Sequence, residues 1–181
     1  MKKILLLLAA LALTTFSATA KEYKLPKENP VFSLKFPDSW QVTYEDESVD
    51  GVSEDEGVEI YAQTDNAESI EDSVKEGLEW LVGEGVKIKP DTEKKTDGDH
   101  NGMKMGTIGW KGTDNDGDCT ITLIFLQVDE ETTMTLIYWA TEDKVKKNEK
   151  EILAVLDSMK SLKGKGKGKK KVEEKEEEEE K

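Results

Sequence analysis

Apolar and polar residues alternate along much of the middle of this chain, and the alternation marks out strands. Phe32, Leu34 and Phe36 fall on one side of a run in which Ser33 and Lys35 fall on the other, the period of a half-buried strand. Pro37-Asp38-Ser39 supplies a turn, after which Trp40, Val42 and Tyr44 alternate with Gln41 and Thr43. Glu45 to Gly57 is acidic, is broken by Gly51, and reads as a loop ahead of a third strand at Val58, Ile60 and Ala62. The period then changes. Ser69-Ile70-Glu71-Asp72 has the spacing of a capping box, and acids in a first turn suit the positive end of a helix. Ile70, Val74, Leu78 and Leu81 recur at helical spacing until Gly83 and Gly85 end the run. A short strand at Val86 to Ile88 is closed by Pro90.

Three longer strands follow, at Met103 to Lys111, Cys119 to Val128 and Thr132 to Ala140. Asp114 to Gly117 and Asp129 to Glu131 have the length and composition of hairpin turns between them. Met134, Leu136 and Tyr138 face one side and Ile137 and Trp139 the other, so this sheet is expected to be covered on both faces. A last helix is expected from Glu142 to Leu162, with Ile152, Val155, Leu156, Met159 and Leu162 as its apolar stripe. Each such side chain, once buried, contributes ~1.5–3 kcal/mol. The prediction is an α+β fold, an antiparallel sheet of about six to seven strands flanked by two main helices.

The ends of the chain differ from its middle. Lys2 and Lys3 precede an apolar run from Ile4 to Leu13, and Ala18-Thr19-Ala20 places small residues where a signal peptidase cuts. Residues 1–20 are therefore read as a signal peptide, with the mature chain starting at Lys21 and a secreted or periplasmic location. The run falls short of the roughly 20 apolar residues that span a bilayer, so no transmembrane segment is expected after signal removal. Residues 163–181 hold eight Lys and seven Glu, first Lys alternating with Gly and then mostly Glu. Gly disfavours helix in the first half, Glu–Glu repulsion in the second, and disorder is the expectation. Residues 21–162 are left as a single acidic domain.

That domain carries 33 acidic residues against 16 lysines, a net of −17, and the whole chain has no Arg. Nucleic acid repels such a surface, and the Arg fork that reads guanine edges is missing, so nucleic acid is excluded as a partner. Cys119 is the single cysteine, so no disulfide forms within the chain. It reads as a small buried hydrophobe in a strand. His100 is the single histidine and lies in a polar turn. The chain has no nucleophile elbow, phosphate loop, dinucleotide-binding glycine motif or paired-His zinc motif, and no catalytic residue is assigned.

Metal chemistry has one candidate. Asp97, Asp99 and Asn101 alternate before Gly102, as oxygen ligands do in the first half of a calcium-binding EF-hand loop. The twelfth position is Ile108 where that loop needs a bidentate Glu, so the pattern stops half-way. Asp114, Asp116 and Asp118 form a second acidic loop that would add ligands if the fold brought the two together. A third acidic run, Glu45 to Glu47 and Glu54 to Glu56, reads as solvated. Calcium is thus the one possible cofactor. Trp40, Trp80, Trp110 and Trp139 read as core, with a pocket lining as the alternative.

Phe32-Ser33-Leu34-Lys35-Phe36-Pro37-Asp38-Ser39-Trp40-Gln41-Val42 resembles the opening strand, proline turn and tryptophan strand of PsbP-like domains and their bacterial exported relatives. The later order of helix, long antiparallel strands and a terminal helix ending at Asp157-Ser158-Met159-Lys160 resembles that family too. The resemblance implies an α/β/α sandwich and a non-enzymatic binding or assembly role. It carries over no functional motif, and the Lys/Glu tail lies outside the family pattern. The leading expectation is an exported, non-catalytic module that binds a protein or an envelope component. A calcium-binding exported protein is the alternative, and a small-ligand carrier or enzyme is the third.

Overall fold

The computed structural model describes residues 19–66, 70–129 and 132–163. Residues 1–18 of the predicted leader, the capping Ser69, the tip of the last hairpin at Glu130 and Glu131, and the tail beyond Lys163 lie outside them. Five strands come first: β1 (Ala20–Leu25), β2 (Phe32–Pro37), β3 (Gln41–Tyr44), β4 (Ser48–Val52) and β5 (Glu59–Asn66). Helix α1 (Ile70–Gly83) leads to β6 (Lys87–His100), β7 (Met103–Asp114), β8 (Gly117–Gln127) and β9 (Thr132–Thr141), and α2 (Glu142–Ser158) and β10 (Lys160–Ser161) complete the order. The strands form two antiparallel sheets, one of three in the order β1-β2-β10 and one of seven in the order β3-β4-β5-β9-β8-β7-β6.

The middle strands of the large sheet are buried on both faces, as their two-sided apolar pattern requires. On one face Val74, Leu78 and Leu81 of α1 pack over Ile121, Leu123, Phe125 and Ile137. On the other, Ile124, Leu126, Met134 and Leu136 share a core with Phe32, Leu34 and Phe36 of β2 and Ile152 and Val155 of α2. The result is an α+β fold with helices on both sides of an antiparallel sheet.

Four expectations change. The short strand expected at Val86 to Ile88 and closed by Pro90 runs on through Pro90 as β6 to His100, because β7 pairs with it on both sides of an irregularity between Lys89 and Lys94. Lys21 to Pro30 was expected as a polar entry segment, yet Ala20–Leu25 is a strand paired with β2 along its length, with Tyr23 and Leu25 buried and the residues around them exposed. The acidic stretch from Glu45 to Gly57 contains β4, paired on both sides, with Val49 and Gly51 on the buried face. The ring of Phe36 occupies the place a side chain on Gly51 would take, its Cε1 2.3 Å from where a Cβ would stand. The last helix stops at Ser158 rather than Leu162, because Lys160 and Ser161 pair with Ser33 and Phe32. Ser158 fixes the change of direction, its Oγ accepting from the Lys35 amide at 2.7 Å and donating to the Val155 carbonyl at 2.6 Å.

Candidate functional site

The two acidic loops do not meet. Asp97 and Asp99 lie within β6, whose strand runs on to a two-residue hairpin at Asn101 and Gly102, both at positive φ as in a type I′ turn. Asp114, Asp116 and Asp118 surround the hairpin at the other end of β7. Twelve residues of strand separate the two turns, roughly 40 Å at ~3.3 Å per residue. The Asn101 amide is committed elsewhere, donating to the carbonyls of Met159 at 2.7 Å and Asp157 at 3.2 Å, so it fastens the hairpin to the end of α2. Asp114 Oδ1 accepts the amides of Asp116 and Gly117 at 2.9 and 3.0 Å, and Asp118 pairs with Lys89 at 3.0 Å. Among the described residues no group of three or more His, Cys, Asp or Glu side chains gathers closely enough to hold a metal ion.

His100 and Cys119 do not meet either. His100 pairs with Met103 at one end of β7 and Cys119 with Gly112 toward the other. The thiol is buried, and burial, with Asp114 and Asp118 nearby, pushes it up to about 11. It is neither ionised nor exposed at neutral pH.

The tryptophans divide between the faces. Trp40 and Trp110 are core residues, 5% and 4% exposed. Trp80 of α1 and Trp139 of β9 are half-buried, their rings edge to face at 5.3 Å, and the Tyr61 ring lies 5.0 Å from Trp80. Beside them is a hollow of about 250 Å3 lined by Asp50, Glu59, Tyr61, Trp80 and Glu84. Strand register explains its contents. Asp50 stands opposite Tyr61, and Glu59 opposite Val52 on one side and Trp139 on the other, so alternation sends all of them to the α1 face. Glu84 follows the last turn of α1, its amide bonded to the Trp80 carbonyl at 3.0 Å.

The Asp50 and Glu59 side chains line the same hollow, diagonal to each other across β4 and β5. Burial raises Glu59 to about 7, with the charges of Asp50 and Glu84 adding to the effect. Burial also raises Asp50, with the charge of Glu84 adding to the effect and the interaction with Glu59 partly opposing it. Asp50 Oδ1 is buried with no hydrogen-bond partner. A larger hollow of about 700 Å3 lies along Asp97, Asp99, Lys104 and Phe125, but it carries charges of both signs. The smaller one gathers acids beside stacked aromatic rings, and it is the candidate site. The alternation in Glu59-Ile60-Tyr61-Ala62 already put Glu59 and Tyr61 on one face. The nearness of Asp50 depended on β4, which the acidic composition hid.

Asp55 is another departure from expectation. Placed by sequence in a solvated run, it is held by Lys147 at 2.7 Å, Ser53 at 2.8 Å and the Gly57 amide and Asn148 at 3.2 Å.

Comparison with known proteins gives the fold a relation. No family model matches the chain, and no curated protein matches it in sequence. Among solved structures it is similar to cyanobacterial PsbP (CyanoP) from Synechocystis sp. PCC 6803, at a TM-score of 0.54 and 11% identity over 82% of this chain and 95% of that one. It is similar to LpqN of Mycobacterium tuberculosis, described as involved in cell envelope biogenesis, at 0.52 and 14% over 78% and 91%. A third likeness, to a protein of Bacteroides thetaiotaomicron VPI-5482, has a TM-score of 0.53 and 12% identity over 79% of this chain and 48% of that one. This chain thus spans about half of that protein's length. The fold is PsbP-like.

Proposed function

We propose that this chain is an exported, non-catalytic interaction module of the cell envelope, and that it docks a basic segment of a partner protein at the hollow between β4, β5 and the end of α1. The leader-like N-terminus supports export, and the likeness to LpqN supports an envelope setting. Among the described residues no helix is long and apolar enough to cross a membrane. The domain's net charge of −17 favours encounter with a basic surface.

One observation carries the reading. Asp50, Glu59 and Glu84 line one hollow beside the Tyr61 and Trp80 rings, and among the described residues none of the three has a lysine in ion-pair contact. An ammonium group entering there meets three carboxyls and aromatic rings, the environment that attracts a desolvated cation. Titrating a lysine-rich peptide onto the full chain, followed by tryptophan fluorescence, tests it. Binding is expected to weaken with added salt, to fall several-fold in Glu84→Gln and to be lost in Trp80→Ala. A glutamate-rich peptide binding equally well would refute the reading.

A further inference from the structure

We propose that the outer face of the small sheet is a phosphate site, in which Lys24, Lys35 and Lys160 hold the oxyanion over the Ser33 hydroxyl and Glu22 takes its place when no phosphate is bound. This face belongs to the α2 side of the molecule, away from the docking hollow on the α1 side, and neither needs the other. Phe32, Leu34 and Phe36 turn into the core, so alternation sends Ser33 and Lys35 to the opposite face of β2. Register brings the rest. Lys24 of β1 and Lys160 of β10 stand opposite Ser33 on its two sides, and Glu22 stands opposite Lys35. Ser33 is fully buried at the centre of this group, and its Oγ has no hydrogen-bond partner. A buried hydroxyl without a partner is costly, and a phosphate oxygen supplies the acceptor that the protein does not.

Glu22 shows that the lysines already hold an anion. Its Oε1 accepts from Lys160 Nζ at 2.9 Å, and Lys24 Nζ lies 3.8 Å from its other oxygen. The bond from Lys160 lowers its carboxyl below the ordinary 4.5, with the charges of Lys24 and Lys35 adding to the effect. Among the described residues Lys35 has no ion pair of its own. Three ammonium groups against one carboxylate leave two positive charges, and a phosphate monoester carries about −1.5 to −2 at neutral pH. The side chains of Glu22, Lys24 and Lys160 are 31%, 51% and 49% exposed, so a phosphate reaches the lysines from solvent and pushes Glu22 aside. The charge of the chain is laid out to admit it. Residues 21–44 and 142–162, which supply the small sheet and α2, hold nine lysines and eight acids; residues 45–141 hold 25 acids and seven lysines. An anion repelled by most of the surface is not repelled here.

Inorganic phosphate titrated into the full chain at constant ionic strength, followed by amide NMR, tests the site. Saturable shifts are expected at Lys24, Ser33, Lys35 and Lys160, and none with chloride in place of phosphate. Glu22→Gln removes the competing carboxylate and is expected to bind phosphate several-fold more tightly. Lys160→Ala and Ser33→Ala are expected to bind it several-fold more weakly, with melting curves that show an intact fold. No saturable shift in wild type or in Glu22→Gln, or the same shifts with chloride, would overturn the proposal. So would a Ser33→Ala variant that binds as wild type does, or a Glu22→Gln variant that binds no better. Co-sedimentation with phosphatidylglycerol vesicles distinguishes the sources of the phosphate group. Vesicle binding that inorganic phosphate competes away assigns the site to a lipid headgroup, and phosphate binding without vesicle binding assigns it to a soluble phosphate.

Discussion

Asp55 and Glu59 are four residues apart, and they meet opposite surroundings. Asp55 turns toward α2, where two lysines, a serine, an asparagine and a backbone amide surround it. Glu59 turns toward α1, where the charges that act on it are those of Asp50 and Glu84. The faces they belong to differ in the same way. On the α2 side Phe36, Trp40 and Val155 are closed into one core. On the α1 side Tyr61, Trp80 and Trp139 pack against one another but stay half-buried beside a hollow. The α2 face is closed into a core, and the α1 face near β4 and β5 keeps three carboxyls beside half-buried rings.

The widest separation between the faces should come from their tryptophans. Trp40 is 5% exposed, its ring lies 5.6 Å from Phe36, and its Nε1 donates to Glu151 at 2.6 Å. Trp40→Ala is expected to destabilise by about 3–5 kcal/mol. Trp80→Ala removes a half-buried ring and is expected to cause less than half that loss. Denaturant midpoints of the two variants measure the difference, and equal losses would erase the distinction between a structural and a receptive face.

The carboxylates themselves come next. Asp55→Ala removes hydrogen bonds to charged and neutral donors and is expected to destabilise by about 2 kcal/mol, discounted because its side chain remains 20% exposed and that of Lys147 64%. Its pH signature is that of a lowered acid. Lys147 holds the Asp55 carboxyl well below its ordinary 3.8, so its contribution is full above that value and fades as pH falls further. Chemical denaturation of wild type and variant should converge in strong acid.

Glu59 has the opposite sign. Its folded value near 7 lies above the ordinary 4.5, so the folded state holds the extra proton between them. The associated stability is complete below 4.5, declines as pH rises toward 7, and is gone above it. Glu59→Gln carries no such proton. It is expected to match wild type near pH 5 and to exceed it by about 1 kcal/mol near pH 8, after allowance for solvent screening. Melting midpoints across that range check the crossing. A variant that tracks wild type at every pH would show Glu59 to be an ordinary surface acid.

Much of the fold could be read from periodicity because packing enforces it. β2, β7, β8, β9 and both helices carry their own apolar spacing. β6 does not. It is largely exposed at the sheet edge, rich in Lys, Asp and Gly, and it is a strand because β7 pairs with it on either side of an irregularity between Lys89 and Lys94. β4 was concealed by Gly51, whose missing side chain looks like a loop signal but makes room for the Phe36 ring. The candidate site was hidden for a related reason. Glu59 and Tyr61 share a face by simple alternation, but their meeting with Asp50 depends on the register of β4 against β5, which the turn at Ser53 to Val58 sets. No local pattern encodes that pairing.

The smallest expected effect concerns calcium, and it sharpens the contrast from the opposite side. The acidic loops most visible in the sequence are those whose groups the fold already uses. Asp114 closes its own turn, Asp118 faces Lys89, and Asn101 ties the β6–β7 hairpin to the end of α2. A calcium ion would have to break these contacts, and the two loops stand too far apart to share it. A ligand at about 100 times its dissociation constant would stabilise by ~2.7 kcal/mol, a shift that a melting curve readily resolves. Millimolar calcium is expected to leave the midpoint where a chelator leaves it. Asn101→Ala, in contrast, is expected to lower the midpoint with or without calcium, because the loss is of two hydrogen bonds to α2 carbonyls and not of a ligand. A calcium-dependent rise that Asn101→Ala abolished would move the binding chemistry from the α1 hollow to the hairpin.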